Sequence, residues 1–474
     1  MLKYTIRIVF FYLIISSALL KSNEIYSSTF LALQNKIQSN YFKINNYNST
    51  FGPLRYDSVS ILEKDSILYS YQFGYENAFK DINRLGKGMS FGGTIFFDDK
   101  LYCFLNARIV SNPYLFPNFS GISRDIKRYG FNSGETDLAG IGYQNGDYII
   151  QIGRGRQSWG AGNDIQLALS ESSAPYDYFM YQVNKKKINA RYFHGYLERV
   201  EGFNRYINGR GIEFSDNNGL TVGFSEIVVY SGLNRSVDIS YLNPISSHLE
   251  IELNDRQNYE GTGSGNAVWQ FSLDFITKSN FRFSFNYAVD EFVIDKSERD
   301  SGKVNLDALS AKFVYSAINS RFDYLSYYIN LIRIGTHTFR HESIIPSSSS
   351  QGIGFNNFVH RDLPLGWEYG SDGTEIKIGL NVGNHNTFVL KSELGYVEYG
   401  SNSLINNLYK PYENTLETNF PSGKKKKLIC FSSIIKWQYM SNYSFSLDFR
   451  ITKAEENKFN YFFHIINSYS FNTL

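Results

Sequence analysis

The sequence predicts an all-β fold, a transmembrane barrel of about eighteen antiparallel strands with a small N-terminal helical element. Three observations predict it. The first is alternation. Phe281, Phe283, Phe285 and Tyr287 alternate with Arg282, Ser284 and Asn286; Trp269, Phe271, Leu273 and Phe275 alternate with Gln270, Ser272 and Asp274; Tyr443, Phe445, Leu447, Phe449 and Ile451 alternate with Ser444, Ser446, Asp448, Arg450 and Thr452. Successive side chains of a strand point to opposite faces, so each segment has one apolar face and one polar, partly charged face. The second is composition: aromatics are 17% of the chain although its mean hydropathy is -0.30, as expected of aromatic-girdled strands around a wet interior. The third is that, after the first twenty residues, no apolar run is long enough to cross a bilayer as a helix. A soluble sandwich would show the same alternation around a core between two sheets. The barrel is favoured because the strands recur as hairpins of roughly ten residues each, the length needed to cross a bilayer at a tilt.

The elements follow in order. Lys3 and Arg7 precede the short apolar run Ile8 to Leu20, the pattern of an export signal, read here as residues 1–22. Ser16-Ser17-Ala18 and Lys21-Ser22-Asn23 match the small-residue cleavage rule only in part, and no Cys lies nearby to carry a lipid. Residues 23–66 read as a short periplasmic helical element. Ser28 to Ser39 has Phe30, Leu33 and Ile37 at helical spacing, Gly52-Pro53 marks a turn, and Arg55 to Asp65 forms a second short helix. This element is too small to own a core and is expected to pack on or into something larger.

From 67 to 474 the period is two. Strands are expected at 68–79, 88–98, 101–111, 135–144, 147–157, 176–183, 187–195, 206–215, 220–230, 267–277, 280–288, 308–318, 322–333, 375–383, 386–399, 426–440, 443–453 and 458–470. Short turns fall at Gly146-Asp147, Thr277 to Asn280, Asn319-Ser320, Asn384-His385 and Ser441-Asn442, and long polar links at 112–134, 231–266, 289–307, 334–374 and 400–425. Short turns at one rim and long links at the other are the pattern of outer-membrane barrels. The two cysteines, Cys103 and Cys430, fall in distant strands and read as separate thiols, although an exported protein could pair them.

The densest chemistry runs from Tyr148 to Phe179. Arg154 and Arg156 stand between glycines, followed by Trp159, Gly160, Gly162, Asn163 and Asp164. Paired guanidinium groups hold carboxylates through parallel hydrogen bonds, and an indole face stacks on flat or apolar partners, so the stretch could hold an anionic saccharide. Alternatively, the arginines pair with lumen carboxylates and the Trp belongs to a girdle, while Ile165 to Leu169 folds inward as a helix-like brace capped by Asn163-Asp164. Glu226 is also conspicuous. It shares a strand face with Val222, Phe224 and Val228, so it sits at a bulge, at the rim, or beside an Arg. The link around Asn243-Pro244 and Asn254-Asp255 reads as an inward-folded plug. The seven histidines show no metal spacing and there is no Cys cluster, so no metal and no cofactor are expected. Lys424 to Lys427 reads as a solvated basic rim, with lipid phosphate or acidic glycan as its other possible contacts. The net charge of +2 gives no support for a nucleic-acid partner.

Four segments carry a resemblance. They are Gly153-Arg154-Gly155-Arg156 with Trp159-Gly160-Ala161-Gly162, Leu167 to Ser170 and Ala174 to Asp177; Tyr206 to Phe214, reading YINGRGIEF; Gly223 to Glu226 with Val229-Tyr230 and Tyr241-Leu242-Asn243-Pro244; and Asn357 to Gly366 with Gly370, Ser371 and Asp372. In order and spacing they resemble the Wzi-like capsule assembly family of outer-membrane proteins over nearly the whole mature chain. The resemblance implies a barrel of about eighteen strands in the outer membrane of a Gram-negative-type bacterium, a small periplasmic helical part, and a monomer that binds or anchors capsular or other surface polysaccharide without catalysis. Outer-membrane lipid and the barrel assembly machinery are the other expected partners. The residues expected to bind ligand are Arg154, Arg156, Trp159, Asn163, Asp164, Arg210 and Glu226. Two departures stand out. Arg210 occupies a place where the family often has histidine. The chain ends Phe471-Asn472-Thr473-Leu474, with its aromatic three residues before the end. Two other functions use similar material. A diffusion porin would need an open lumen. A hydrolase would need a nucleophile paired with histidine, and no such pairing can be argued from spacing.

Overall fold

The structure, a computed structural model, describes residues 49–52, 68–80, 84–97, 100–117, 119–145, 147–216, 218–258, 265–277, 279–293, 296–300, 302, 305–317, 321–340, 355–384, 387–404, 419–440, 442–454 and 459–473. Eighteen antiparallel strands form one closed barrel. They are β1 Leu68–Lys80, β2 Arg84–Phe96, β3 Leu101–Val110, β4 Ser133–Gln144, β5 Tyr148–Gly155, β6 Tyr176–Lys185, β7 Ile188–Val200, β8 Phe203–Ser215 and β9 Leu220–Leu233, then β10 Gly265–Ile276, β11 Phe281–Glu291, β12 Leu306–Ala317, β13 Tyr324–Ile334, β14 Gly373–Asn384, β15 Phe388–Tyr399, β16 Lys426–Met440, β17 Tyr443–Ala454 and β18 Phe459–Thr473. β1 and β18 close the ring, in register from Tyr69↔Thr473 to Lys80↔Phe462. Closure removes the unpaired edges that an open sheet would leave. The signal segment and the helices expected at 28–39 and 55–65 lie outside the described residues.

The two rims differ as expected. At one rim each strand leads into the next through a short turn, as from Gln144 to Tyr148 and from Lys185 to Ile188. The first strand begins and the last strand ends at this rim. The opposite rim carries all the long links: 111–132, 156–175, 234–264, 292–305, 335–372 and 400–425.

The two faces of the wall also sort as the alternation requires. On β9 and β10, Phe224 (52% exposed) and Phe271 (41%) point outward, and their neighbours Ser225, Gln270 and Ser272 are buried inside. Polar groups of the inner wall satisfy one another: Asp274 accepts from Arg282 Nε at 2.9 Å and from Ser284 Oγ at 2.6 Å. Cys103 shares a cross-strand row with outward Ile95 and Ile141, whereas the Cys430 sulfur faces Tyr369 at 3.9 Å; both are free thiols.

The observed strands extend past the expected ones at the long-link rim. β7 runs to Val200, β8 starts at Phe203, and β9 runs to Leu233. On β9 every residue from Ser225 to Gly232 is buried. Alternation fades there because chain packs on both faces of the wall, leaving no wet side to mark with polar residues. Two expectations about the links need correction. Ile165 to Leu169 is not helical: Gly160, Gly162 and Asp164 take positive φ of 132°, 71° and 69°, which breaks helical propagation. The 234–258 segment does not enter the lumen. It forms two short helices, α1 Ile239–Leu242 and α2 His248–Leu253, that pack against the outside of the wall.

The outward face yields a direct test. Phe224→Arg is expected to destabilise the barrel in phospholipid vesicles by about 2–4 kcal/mol, the cost of a basic group near the bilayer midplane. Reversible guanidinium unfolding measures it, and an unchanged midpoint would show that this face does not meet lipid.

Candidate functional site

A barrel of eighteen strands encloses more space than its own side chains fill. Here two links fold into it. The 156–175 link leaves β5 and crosses toward the opposite wall, where inward polar residues of successive strands take up its backbone. Gln270 Nε2 donates to the Trp159 carbonyl at 3.2 Å. Asn286 clasps Ala161 from both sides, accepting from its N–H at 2.6 Å and donating to its carbonyl at 2.9 Å. Ser310 Oγ donates to the Ile165 carbonyl at 2.7 Å, and Lys312 Nζ to the Asn163 carbonyl at 2.9 Å. An irregular buried segment must find a partner for each backbone polar group, and the inner wall supplies several of them. Gly162 is required: at φ 71° a Cβ would also lie 2.9 Å from Ser284 Cβ.

Residues 355–372 of the 335–372 link pack on the first. Ser170 N–H donates to the Leu365 carbonyl at 2.7 Å, and Trp367 N–H to the Leu167 carbonyl at 3.3 Å. A Cβ on Gly366 would fall 1.8 Å from the Leu167 oxygen, so only glycine permits this approach. Buried Arg205 fastens the link to β8, donating to the Phe355 carbonyl at 2.6 Å and the Asn357 carbonyl at 2.7 Å while paired with Glu198 at 2.6 Å. Burial pushes the Arg340 guanidinium down to about 10, with Asp372 pulling it back up. From the short-turn rim a third segment enters. Ser49 and Thr50 hydrogen-bond Glu213 near the lower end of β8, and Phe51–Gly52 pairs antiparallel with Ser158–Trp159. Together the three segments build one apolar core against the wall from β5 to β15, including Phe51, Trp159, Leu167, Phe358, Leu365 and Trp367.

The seven expected ligand residues lie in three places. The first is the long-link end of β5. There Arg154 turns outward and pairs with Asp177 at 3.2 Å, and Arg156 is buried against Asp137 at 2.6 Å and the Ser173 carbonyl. The second is the plug. Trp159 is fully buried, tilted against Phe51 (ring centroids 4.8 Å apart) and in a T-shaped contact with Phe193 (5.1 Å). Asn163 and Asp164 sit in the lumen, where Asp164 meets Lys391 at 2.8 Å and Lys312 at 3.7 Å. The third is outside the barrel. Arg210 and Glu226 are cross-strand partners on the same face as outward Ile212 and Phe224. They pair at 3.1 Å beneath the 234–258 segment. Glu226 also accepts the indole N–H of Trp269 at 2.9 Å and the N–H of His248, in the first turn of α2, at 3.1 Å. Arg210 Nη1 donates to the Asn243 carbonyl at 3.2 Å. The structure therefore brings Asn163 and Asp164 to Lys312 and Lys391, and Arg210 to Glu226, but it does not gather the seven.

One surface escaped the sequence reading. The 111–132 link closes in a small hairpin, bridged at Arg128 and Phe131. Arg124, Lys127, Arg128 and Tyr129 are all exposed on it. Arg361 of the second plug link donates to the Ser120 carbonyl at 3.0 Å, tying plug and hairpin together. The signal was present as three basic residues and a tyrosine within six positions, but it lay in a segment read only as a polar link. The string Gly88-Met89-Ser90-Phe91-Gly92 also went unread. It has nucleophile-elbow spacing, which requires a sharp strand-to-helix turn. Here it runs straight along β2, and Glu76 takes the hydrogen bonds of both Ser90 and His464. The imidazole therefore orients the carboxylate rather than the hydroxyl. Among the described residues no group of three or more His, Cys, Asp or Glu is placed to hold a metal.

No family model matches the sequence, and no curated protein matches it. Solved structures match its fold. Wzi of Escherichia coli, described as a carbohydrate-binding β-barrel of the outer membrane involved in group 1 capsule assembly, aligns with a TM-score of 0.60 over 92% of this chain and 97% of that one, at 12% identity. The vanillate complex of OpdK of Pseudomonas aeruginosa aligns at 0.48 and 10% identity over 86% of this chain and 99% of that one, and OccD3 at 0.47 and 11% over 87% and 92%. The chain thus has the fold of an outer-membrane barrel, and its likeness to Wzi is one of fold.

The plug can be loosened selectively. Trp159→Ala removes its fully buried tryptophan and is expected to cost about 3–5 kcal/mol. Asn286→Ala strands the backbone of Ala161 and is expected to cost about 1–3 kcal/mol for each group left unpaired. Guanidinium unfolding of both variants measures the losses; near-zero values would mean that the plug is not coupled to the wall.

Proposed function

We propose that this protein is a non-catalytic outer-membrane barrel of a Gram-negative-type bacterium that binds or anchors surface polysaccharide, and that it belongs with the Wzi-like proteins its motifs resemble. The observation that carries this reading is the use of the lumen. The inner wall from β5 to β15 is spent on holding two links and the N-terminal segment, with strand residues bonded to loop backbone. A wall used in this way presents a fixed platform at the long-link rim instead of a bore.

The contact surface we assign is the exposed hairpin of Arg124, Lys127, Arg128 and Tyr129, with Arg361 and the outward Arg154 at the same rim. Guanidinium groups hold sugar carboxylates, and an aromatic ring packs on the apolar side of a pyranose. The other six expected ligand residues act behind this surface: Arg156, Trp159, Asn163 and Asp164 keep the plug in place, and Arg210 and Glu226 hold the outer segment. Lipid around the wall and the barrel assembly machinery are the partners such a barrel requires. The likeness to Wzi supports the reading at the level of fold.

A second reading, a diffusion channel, rests on a different sector. On β16 and β17 the inward Ser432, Lys436, Ser446 and Arg450 are only half-buried, as expected beside water.

Binding of the purified barrel to the polysaccharide of its own cells separates the two readings. The triple variant Arg124→Ala, Lys127→Ala, Arg128→Ala is expected to weaken binding tenfold or more, about 1.4 kcal/mol or above, with the barrel still folded. Unchanged binding would move the contact off the hairpin. No binding at all, with a large unitary conductance in planar bilayers, would replace the glycan reading with the channel.

A further inference from the structure

The segment from Asn234 to Asn258 descends along the outside of the wall and returns. Its inner side is fixed by outward residues of β7, β8 and β9. Tyr206 donates to the Arg235 carbonyl at 2.8 Å, Tyr192 and Asn208 to the Tyr241 carbonyl at 2.8 and 3.0 Å, and Arg210 to the Asn243 carbonyl at 3.2 Å. Tyr241 stacks on Tyr230 with ring centroids 4.4 Å apart, and its hydroxyl meets His248 Nδ1 at 2.7 Å. The contacts deepen from Arg235 to Asn243, so the tip of the segment lies around Ile245. The side turned away from the wall is apolar: Ile239 is 81% exposed, Ile245 88% and Leu253 74%, with Val237, Leu242 and Leu249 also exposed. Of the charges it exposes, Glu250 and Arg256 pair at 2.6 Å, while Asp255 and the partly exposed Glu252 follow Ile251 on the returning limb.

The height of the wall decides what this side meets. The apolar band of an outer-membrane barrel is about 25 Å tall. Beneath the segment, uncovered wall runs only from Arg210 to Ser215 on β8, from Glu226 to Leu220 on β9 and from Trp269 to Ile276 on β10. These six to eight residues, five to seven rises of tilted strand, span roughly 13–18 Å. This sector is therefore about 7–12 Å short of a full band, although Phe224 and Phe271 just below show that it faces lipid like the rest. The missing height lies where the segment covers a polar patch that includes the Arg210–Glu226 pair. We infer that residues 234–258 form an amphipathic flap whose outer side, with Ile245 at its tip, is immersed in the acyl chains of the outer leaflet and completes the lipid-facing band over β8 to β10. The occupant is hydrocarbon because the flap's apolar side continues the outward apolar rows of the wall at the same depth.

The inference rests on the outer-membrane reading, and its test keeps the two apart. The full chain, with Cys103→Ser and Cys430→Ser, is spin-labelled at Ile245→Cys, Phe224→Cys or Tyr129→Cys and reconstituted into phosphatidylcholine vesicles. Folding is checked by heat-modifiable gel mobility. Oxygen partitions into hydrocarbon and a neutral nickel chelate into water. At Ile245 oxygen is expected to relax the label several-fold more strongly than nickel does, as at Phe224, and Tyr129 is expected to show the reverse. Nickel dominance at Ile245 with oxygen dominance at Phe224 overturns the flap alone. Nickel dominance at Phe224 overturns the membrane reading beneath it. Low accessibility to both reagents at Ile245, with dipolar broadening between labels, assigns the surface to a second copy of the chain and overturns the lipid proposal.

Discussion

The structure depends on one constraint: a wall of eighteen strands leaves its inner polar face with more hydrogen-bonding groups than it can pair across its own bore. Adjacent residues solve part of this, as Arg282, Asp274 and Ser284 do. Part of the remainder is met by importing backbone. Gln270, Asn286, Ser310 and Lys312 stand on three consecutive strands and each binds a carbonyl of the same link. Loop and wall each satisfy the other, so neither is stable in this form alone. The plug is thus part of the barrel's hydrogen-bond accounting, and its irregular backbone is tolerated because it is buried in protein.

This explains why the fold was legible and the site was not. Period two survives wherever one face of a strand meets lipid and the other meets polar surroundings, as along Phe281 to Tyr287. Closure, strand number and the placement of long links follow from that pattern and from turn spacing. The pattern fails where both faces are covered. From Ser225 to Gly232 the strand carries plug contacts inside and flap contacts outside, and the expected end at residue 230 fell short. Trp159 could not be assigned from sequence because an indole suited to stacking on a sugar is equally suited to a pocket between Phe51 and Phe193. That pocket depends on a segment more than a hundred residues away, which local pattern does not report. The Gly160, Gly162 and Asp164 conformations, by contrast, were signalled locally, and they mark a loop where a helix had been expected.

Glu226 shows how a local inconsistency can be informative without being functional. On an apolar strand face it required a bulge, a rim position or an Arg. The partner is Arg210, directly across the ladder, and the register between β8 and β9 continues unbroken through the pair. Two opposite charges on the lipid side of a wall are still costly after pairing, because removing them from water is not repaid by their mutual attraction alone. The additional donors from Trp269 and from the start of α2 cover the carboxylate, and α2 exists there only because the 234–258 segment folds down over it.

The pair and the segment therefore imply one another. Without the segment, the carboxylate would lose its helix N–H and the guanidinium would lose the Asn243 carbonyl, leaving both facing hydrocarbon. Without the pair, the segment would lose the polar anchor at its deepest point and keep only contacts higher on the wall, the stack of Tyr230 and Tyr241 and the hydrogen bonds from Tyr192, Tyr206 and Asn208. A polar patch would ordinarily weaken a lipid-facing wall. Here it specifies where one external link attaches and how far down it reaches. The same arrangement recurs inside the barrel, where Asp164 between Lys312 and Lys391 fixes the floor of the plug. In both places a small set of paired charges holds an otherwise irregular link at a set depth, and that fixed depth is what would let the hairpin at the rim present its basic side chains to a ligand as a rigid surface.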